Sequence, residues 1–382
     1  MNLLDSERLK AKIEEIAEYD FSNNKVFGSA YCVLQGDAIV YKKCFGNTTI
    51  GTPMPVTEKT IFRLASMTKP VTAMAALILI DRGLLSLADP VSRYLPEFCD
   101  PHIIRYSENS EPVDLGRAKN TVTIRHLLNH TSGIGTDVRK ITRLSREDKQ
   151  TVDHTVTYYS KVGLDFEPGT KQQYSPTGAF DVLVKIIETV TGENFQSFLR
   201  REIFEPCDMP DTTFVLTTEQ WERMIDMHHK VDDKNAVKKM ADNCVFGDYP
   251  CTHYLGGAGL VSTLGDYVNF AKMLLNKGRI VEGRLISEET LRLLHTPSVS
   301  EEIMPESERW GLGVRVIVDE SYGLLPVGSF GWSGAYGTHF WVDPENRVAA
   351  VFMKNSLFDG GAANESARKF EQAVCDSFLF KY

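Results

Sequence analysis

The chain has 382 residues, with 42 Lys and Arg against 51 Asp and Glu, for a formal net charge of -9 at pH 7. That length can bury a large core and predicts two or three structural units. The acidic residues are spread along the chain and leave no basic stripe, which argues against nucleic acid or an anionic membrane surface as a partner.

The first residues, Met1 to Arg8, lack the basic start, apolar run and small-residue cleavage site of a secretory signal. They open instead an amphipathic helix with Leu9, Ile13 and Ile16 on one face. No apolar run approaches the length of a membrane span, so the expectation is a cytoplasmic protein with no membrane partner. Seven scattered cysteines, an odd number, fit reduced thiols better than a disulfide framework. Cys244 and Cys251 are too far apart for a zinc knuckle, and neither metal nor cofactor is expected.

Two strand-like runs, Phe27 to Leu34 and Ala38 to Phe45, flank a Gln35-Gly36-Asp37 turn and predict an antiparallel hairpin. A helical pattern begins near Ala65 or Ser66, because Pro70 is tolerated only in the first turn of a helix. Lys69, just before that proline, is disfavoured in helical geometry. Val122 to Gly133 reads as a short helix capped by Thr123 and closed by a glycine loop. Positions 136 to 160 are polar and suit a mobile cover over a cleft. An amphipathic helix is expected from Ala179 to Val190, then helices around Phe195 to Arg201 and Thr217 to His229, and a polar loop to Asp248. Ser262 to Asp266 reads as a cap before a further helix. The preceding Leu255-Gly256-Gly257-Ala258-Gly259 run is no phosphate loop, since no Gly-Lys-Ser/Thr follows. Period two returns in Gly311 to Val318, Gly337 to Val342 and Val348 to Lys354, and a final helix carries Ala367, Phe370 and Val374.

Strands near both ends around a helical middle predict an α/β (α+β) fold, with one antiparallel sheet assembled from the two terminal segments and a large helical insertion. The expected division is 1-62 with 305-382 for the sheet and 63-304 for the helical region, with a site at their interface.

Ser66-Met67-Thr68-Lys69 carries the chemistry. Residues three apart share a helix face, so the Ser66 hydroxyl and the Lys69 amine can touch. A lysine whose pKa is lowered by its surroundings can take the serine's proton and make it a nucleophile. Two other stretches stand out with it: Tyr174-Ser175-Pro176 and Trp332-Ser333-Gly334. In order and spacing the three resemble the active-site motifs of serine β-lactamases and penicillin-binding proteins. The chain looks most like the class C-type branch, which includes the family VIII carboxylesterases and related D-peptidases and acyltransferases. Gly83 to Pro90, the His130-Thr131-Ser132-Gly133 stretch, Phe166 to Thr170 and Phe204-Glu205-Pro206 extend the similarity over about Phe27 to Asn355.

This resemblance implies Ser66 as nucleophile; an amine and a phenol of similar ordinary pKa in one site can share a proton, so Lys69 and Tyr174 are expected to act as a coupled base, with either as the proton acceptor. It places the backbone amides of Ser66 and Ala335 in the oxyanion hole, Ala335 lying on an edge strand. Trp332, Ser333, Gly334, Pro176 and Trp310 are the candidate substrate-binding residues. Two departures bear on substrate. Trp332 stands where β-lactamases and transpeptidases commonly carry Lys or His, and Pro176 where they carry Asn. Both changes weaken recognition of anionic peptides and β-lactams, so the expected substrate is a small uncharged ester, with esters and amides as the partner class. A class C-type β-lactamase, D-peptidase or acyltransferase, and a non-catalytic binding module, are the alternatives.

Gly331-Trp332-Ser333-Gly334-Ala335 nearly matches a Gly-x-Ser-x-Gly elbow, but it leads into a strand rather than a helix. His126 and His130 are read as core or loop-bonding residues, and His228-His229 as the solvated face of a helix.

Overall fold

The computed structural model describes residues 2-109, 111-361 and 364-380. Its centre is a seven-stranded antiparallel sheet. In chain order the strands are β1 (Gly28–Gln35), β2 (Ala38–Gly46), β3 (Glu308–Trp310), β4 (Arg315–Ile317), β5 (Phe330–Ser333), β6 (His339–Asp343) and β7 (Val348–Met353). Their order across the sheet is β3-β4-β5-β6-β7-β1-β2. The N-terminal hairpin thus joins the C-terminal strands through the β1–β7 ladder, in which Cys32 faces Val351.

Strand alternation sends side chains to two cores. From β1, Ala30, Cys32 and Leu34 enter the large core shared with the helical region, while Tyr31 and Val33 join a second core. Two terminal helices cover that second face, α1 (Ser6–Ser22) and α6 (Glu365–Asp376), through Leu9, Ile13, Phe370 and Val374. The helical region contributes α2 (Thr68–Asp81), α3 (Ile124–Leu128), α4 (Gly178–Thr191) and α5 (Leu264–Leu275). Twelve of the fourteen residues of α2 are buried, so its stability comes from packing all round rather than from an amphipathic stripe. No helix of the described residues is long and apolar enough to cross a membrane, and all seven cysteines are free.

Several local expectations are corrected. Lys69 is helical despite Pro70, because Pro70 is the third residue of α2, where its missing amide has no partner to lose. The segment from Thr217 is helical only over Thr218–Glu222 and then becomes a strand, Met227–Val231, paired with Lys234–Lys238. His228 is therefore not on a solvated face: it is buried, donates from Nδ1 to the Lys25 carbonyl at 3.0 Å, and lies against Phe27 and Phe358. The run from Gly311 to Val318 is broken by a turn, with only Arg315–Ile317 in the sheet. Positions 136 to 160 hold the helices Val138–Ile141 and Val152–Val162, anchored by Lys140, whose buried ammonium pairs with Asp165 at 2.7 Å.

Candidate active site

Ser66 stands in a 3-10 turn, Ala65–Met67, that feeds directly into α2. Ala65 has φ of 47°, a left-handed conformation that costs a non-glycine residue on the order of 1 kcal/mol. Hydrogen bonds from four directions hold the strained turn. The Leu64 amide donates to the Leu260 carbonyl at 2.9 Å, and the Leu64 carbonyl accepts from Thr338 Oγ1 at 2.9 Å. Asn355 clasps Arg63 from both sides, accepting from its amide at 2.9 Å and donating to its carbonyl at 3.0 Å. The Tyr267 hydroxyl donates to the Met67 carbonyl at 2.8 Å.

One helical turn on, Lys69 is fully buried. Its Nζ donates to the carbonyls of Pro176 at 2.6 Å and Gly257 at 2.8 Å, and reaches Ser66 Oγ at 3.4 Å. Burial pushes the Lys69 pKa well below its ordinary value, and the Asp181 carboxylate only partly opposes that. A neutral amine facing the serine hydroxyl is the form a general base requires.

Tyr174 follows the turn at Pro168-Gly169, and its hydroxyl accepts from Trp332 Nε1 at 3.2 Å. Burial raises its pKa to about 12, against the lowering effect of its contacts with Ser66 and Trp332. Desolvation thus disfavours the charged form of both groups. Lys69 Nζ lies over the ring of Tyr174, 4.8 Å from its centre.

The opposite wall is apolar. Trp332 at the end of β5 and Trp310 at the end of β3 meet edge to face at 4.5 Å between ring centres. Tyr174 packs on both, at 5.8 Å from Trp310 and 5.5 Å from Trp332. Trp310 is buried, so it backs this wall from the core side.

Ala335 does not lie on an edge strand. It occupies the turn after β5, an interior strand between β4 and β6. β4 pairs only with Phe330 and Gly331, however, so the stretch from Trp332 to Ala335 has an unpaired side. Gly334 brings this turn against the nucleophile: a Cβ there would sit 2.2 Å from the Leu64 carbonyl oxygen. Among the described residues, neither the Ser66 nor the Ala335 amide has a backbone acceptor outside its own helix or strand.

Ser333 belongs to the other face of the sheet. Its hydroxyl meets His339 Nδ1 at 2.7 Å, and His339 Nε2 donates to Glu371 on α6 at 3.0 Å. This serine-histidine-carboxylate chain is sealed under α6 with Ser333 only 3% exposed. Its part near the site is to brace β5, not to meet substrate with its side chain.

Sequence reasoning passed over the groups that hold Lys69. Gly257 has no room for a side chain, since a Cβ would meet the Pro176 carbonyl oxygen at 2.5 Å and Lys69 Nζ at 3.2 Å. The glycine run that is no phosphate loop lets a backbone carbonyl reach the amine. Asp181, fully buried on α4, accepts from the Gly256 amide at 3.1 Å and from His253 Nε2 at 3.1 Å, fixing that run. The glycine cluster was the visible signal, while Asp181 left none beyond a carboxylate in an apolar helix.

The sequence profile of the Beta-lactamase family matches residues 9–373. Esterase EstB of Burkholderia gladioli is 28% identical over 94% of this chain and 93% of its own length. A putative D-alanyl-D-alanine carboxypeptidase of Escherichia coli is 26% identical over 85% of this chain and 77% of its own. Among solved structures, EstCE1, described as a hydrolase with promiscuous acyltransferase activity, superposes with a TM-score of 0.81 at 22% identity, covering 97% of this chain and 99% of the other. The chain belongs to the Beta-lactamase family, within the superfamily of serine β-lactamases and penicillin-binding proteins.

Proposed function

We propose that this protein is a serine carboxylesterase acting on small, uncharged acyl esters through an acyl-enzyme. Ser66 Oγ attacks the ester carbonyl while Lys69 Nζ accepts its proton, and the amides of Ser66 and Ala335 hold the oxyanion. The proton passes by way of Tyr174 to the departing alkoxide. In the second half-reaction the same pair takes a proton from water, which attacks the acyl carbon and releases the acid with Ser66 restored.

The observation that carries the substrate class is the Tyr174–Trp332–Trp310 wall. Its polar group nearest the reaction, Trp332 Nε1, is engaged by Tyr174, and it presents no cation to a substrate carboxylate. The named activity of EstB supports the same class. The named activity of the carboxypeptidase relative keeps a D-peptidase as the alternative outcome of the test. Hydrolysis of p-nitrophenyl acetate and butyrate that is abolished in Ser66→Ala supports the esterase. Faster turnover of nitrocefin or of a D-amino-acid amide than of any ester assigns the site to the alternative, and equal rates in wild type and Ser66→Ala reject a catalytic serine here.

A further inference from the structure

His130 is fully buried beside the site and makes no contact with Ser66 among the described hydrogen bonds. Its commitments converge on one neighbour. The Gln173 amide donates to the His130 carbonyl at 3.0 Å, and the Ser175 amide donates to His130 Nδ1 at 3.1 Å. The residues on either side of Tyr174 are therefore both held, through their amides, by this single residue. The imidazole also packs on the Tyr174 ring at 4.6 Å between centres and on Trp310 at 4.3 Å.

We propose that His130 is the positioning residue of Tyr174, fixing the tyrosine's backbone on both sides and its ring on one face so that the hydroxyl stays at the Ser66–Trp332 position. The assignment rests on the esterase reading of the site.

Three features fit this role better than general packing. His130 adopts φ of 61°, left-handed geometry that a core filler has no reason to accept. The strained conformation presents the carbonyl and Nδ1 of one residue to two amides that lie two positions apart in the chain. Because Nδ1 accepts a hydrogen bond, the ring proton resides on Nε2, which has no hydrogen-bond partner among the described residues. The side chain thus spends its acceptor on the Tyr174 segment while leaving its own donor unsatisfied, a cost of about 1–3 kcal/mol in a buried setting. Burial lowers the His130 pKa well below the ordinary histidine value, in keeping with an Nδ1 that accepts from the Ser175 amide.

A double-mutant cycle on p-nitrophenyl butyrate hydrolysis tests the proposal. His130→Asn keeps an acceptor near the Nδ1 position, and asparagine tolerates the left-handed backbone. His130→Gly keeps the backbone geometry and removes the acceptor. His130→Gln fills the volume with its oxygen displaced, and takes the place of the glycine variant if that one does not fold. The expected result is a fall in kcat of roughly 30-fold or more for Gly or Gln with KM changed less than about threefold, and most of the activity retained in Asn. In the Tyr174→Phe background the same His130 change costs less than about threefold further, because its effect runs through the tyrosine hydroxyl. An undiminished loss in the Tyr174→Phe background, or an Asn variant no better than Gln, overturns the assignment and leaves His130 a packing residue. A folded wild type that neither turns over esters nor becomes acylated at Ser66 overturns the esterase reading itself, and this role with it.

Discussion

Lys69 Nζ lies over the face of the Tyr174 ring, 4.8 Å from its centre, donates to the carbonyls of Pro176 and Gly257, and stands 3.4 Å from Ser66 Oγ. The two residues consequently feel burial separately, and it moves their pKa values apart: the lysine falls and the tyrosine rises to about 12. In the proposed mechanism this assigns proton removal from Ser66 to Lys69, and leaves Tyr174 a neutral donor toward the leaving group.

That assignment predicts the pH profile. Neutral Lys69 is required, so kcat/KM for ester hydrolysis rises with pH through the depressed lysine pKa and reaches a plateau below 10.5. Continued rise toward pH 12 would instead mark Tyr174 phenolate as the base. Stability follows the same linkage. Between the folded lysine pKa and 10.5 the unfolded chain binds the extra proton, so wild-type stability climbs with pH relative to Lys69→Met. Urea unfolding of both proteins at pH 7 and pH 9.5 reads the difference, while Lys69→Met loses nearly all esterase activity at either pH.

Trp332 sets the charge preference of the wall. Trp332→Lys introduces a cation and removes the donor to Tyr174 Oη. Neutral-ester kcat/KM is expected to fall by about 10-fold or more, in line with the loss of a buried hydrogen bond and its packing. The ratio of nitrocefin to p-nitrophenyl butyrate turnover is expected to rise. Parallel decline of both substrates would show that Trp332 supports the site without selecting for charge.

Gly257→Ala tests the carbonyl that holds Lys69. The added methyl meets the Pro176 oxygen at 2.5 Å, so the two segments gripping the amine must separate. Activity is expected to drop by about 100-fold, as expected when a catalytic group is displaced by about an ångström. The melting temperature should fall by only a few degrees, read by circular dichroism. Wild-type activity in this variant would remove Gly257 from the site.

The parts of the molecule that could be read locally and those that could not differ in where their partners lie. The hairpin of β1 and β2 and the closing helix α6 carry their own period or turn signal and form as expected, and the proline signal places the start of α2 within two residues, at Thr68 after a 3-10 turn through Ser66. The segment after Thr217 has a helical start, but His228 finds its partners at Lys25, Asn235 and Asn355, and those distant bonds draw it into a strand. The same holds at the site. Ser66, Lys69 and Tyr174, to which the proposed mechanism gives the chemistry, stand out in the sequence because they sit in recognisable motifs. The roles of His130, Asp181 and Gly257 depend on contacts with residues far along the chain, and an isolated histidine, aspartate or glycine carries no mark of them. Ser333 shows the reverse, since its motif position suggested substrate contact while strand alternation turns its side chain to His339.

Glu371 ties that far face to α6. Burial opposes its charge, but the His339 hydrogen bond and the Arg315 charge, reinforced by the Tyr322 hydroxyl, hold its pKa down to about 2 from an ordinary 4.5. A depressed carboxylate stabilises the fold above its unfolded pKa, and that contribution fades as pH falls from about 4.5 toward 2. Glu371→Gln is expected to cost on the order of 3 kcal/mol at neutral pH, one pKa unit being about 1.4 kcal/mol. It should also flatten the acid limb of the stability curve. Denaturant titrations at pH 7 and pH 3 read both effects, and an unchanged acid limb would mean that the network around Glu371 is not an acid-sensitive anchor.

The most direct measurement is intact-protein and peptide mass spectrometry after brief exposure to a panel of activated esters and β-lactams. A covalent acyl group on Ser66, formed with p-nitrophenyl acetate or butyrate, absent in Ser66→Ala and slower to form with nitrocefin, is the predicted result. An acyl group on any other residue, or esters that leave Ser66 unmodified while being hydrolysed at the same rate by Ser66→Ala, would contradict it.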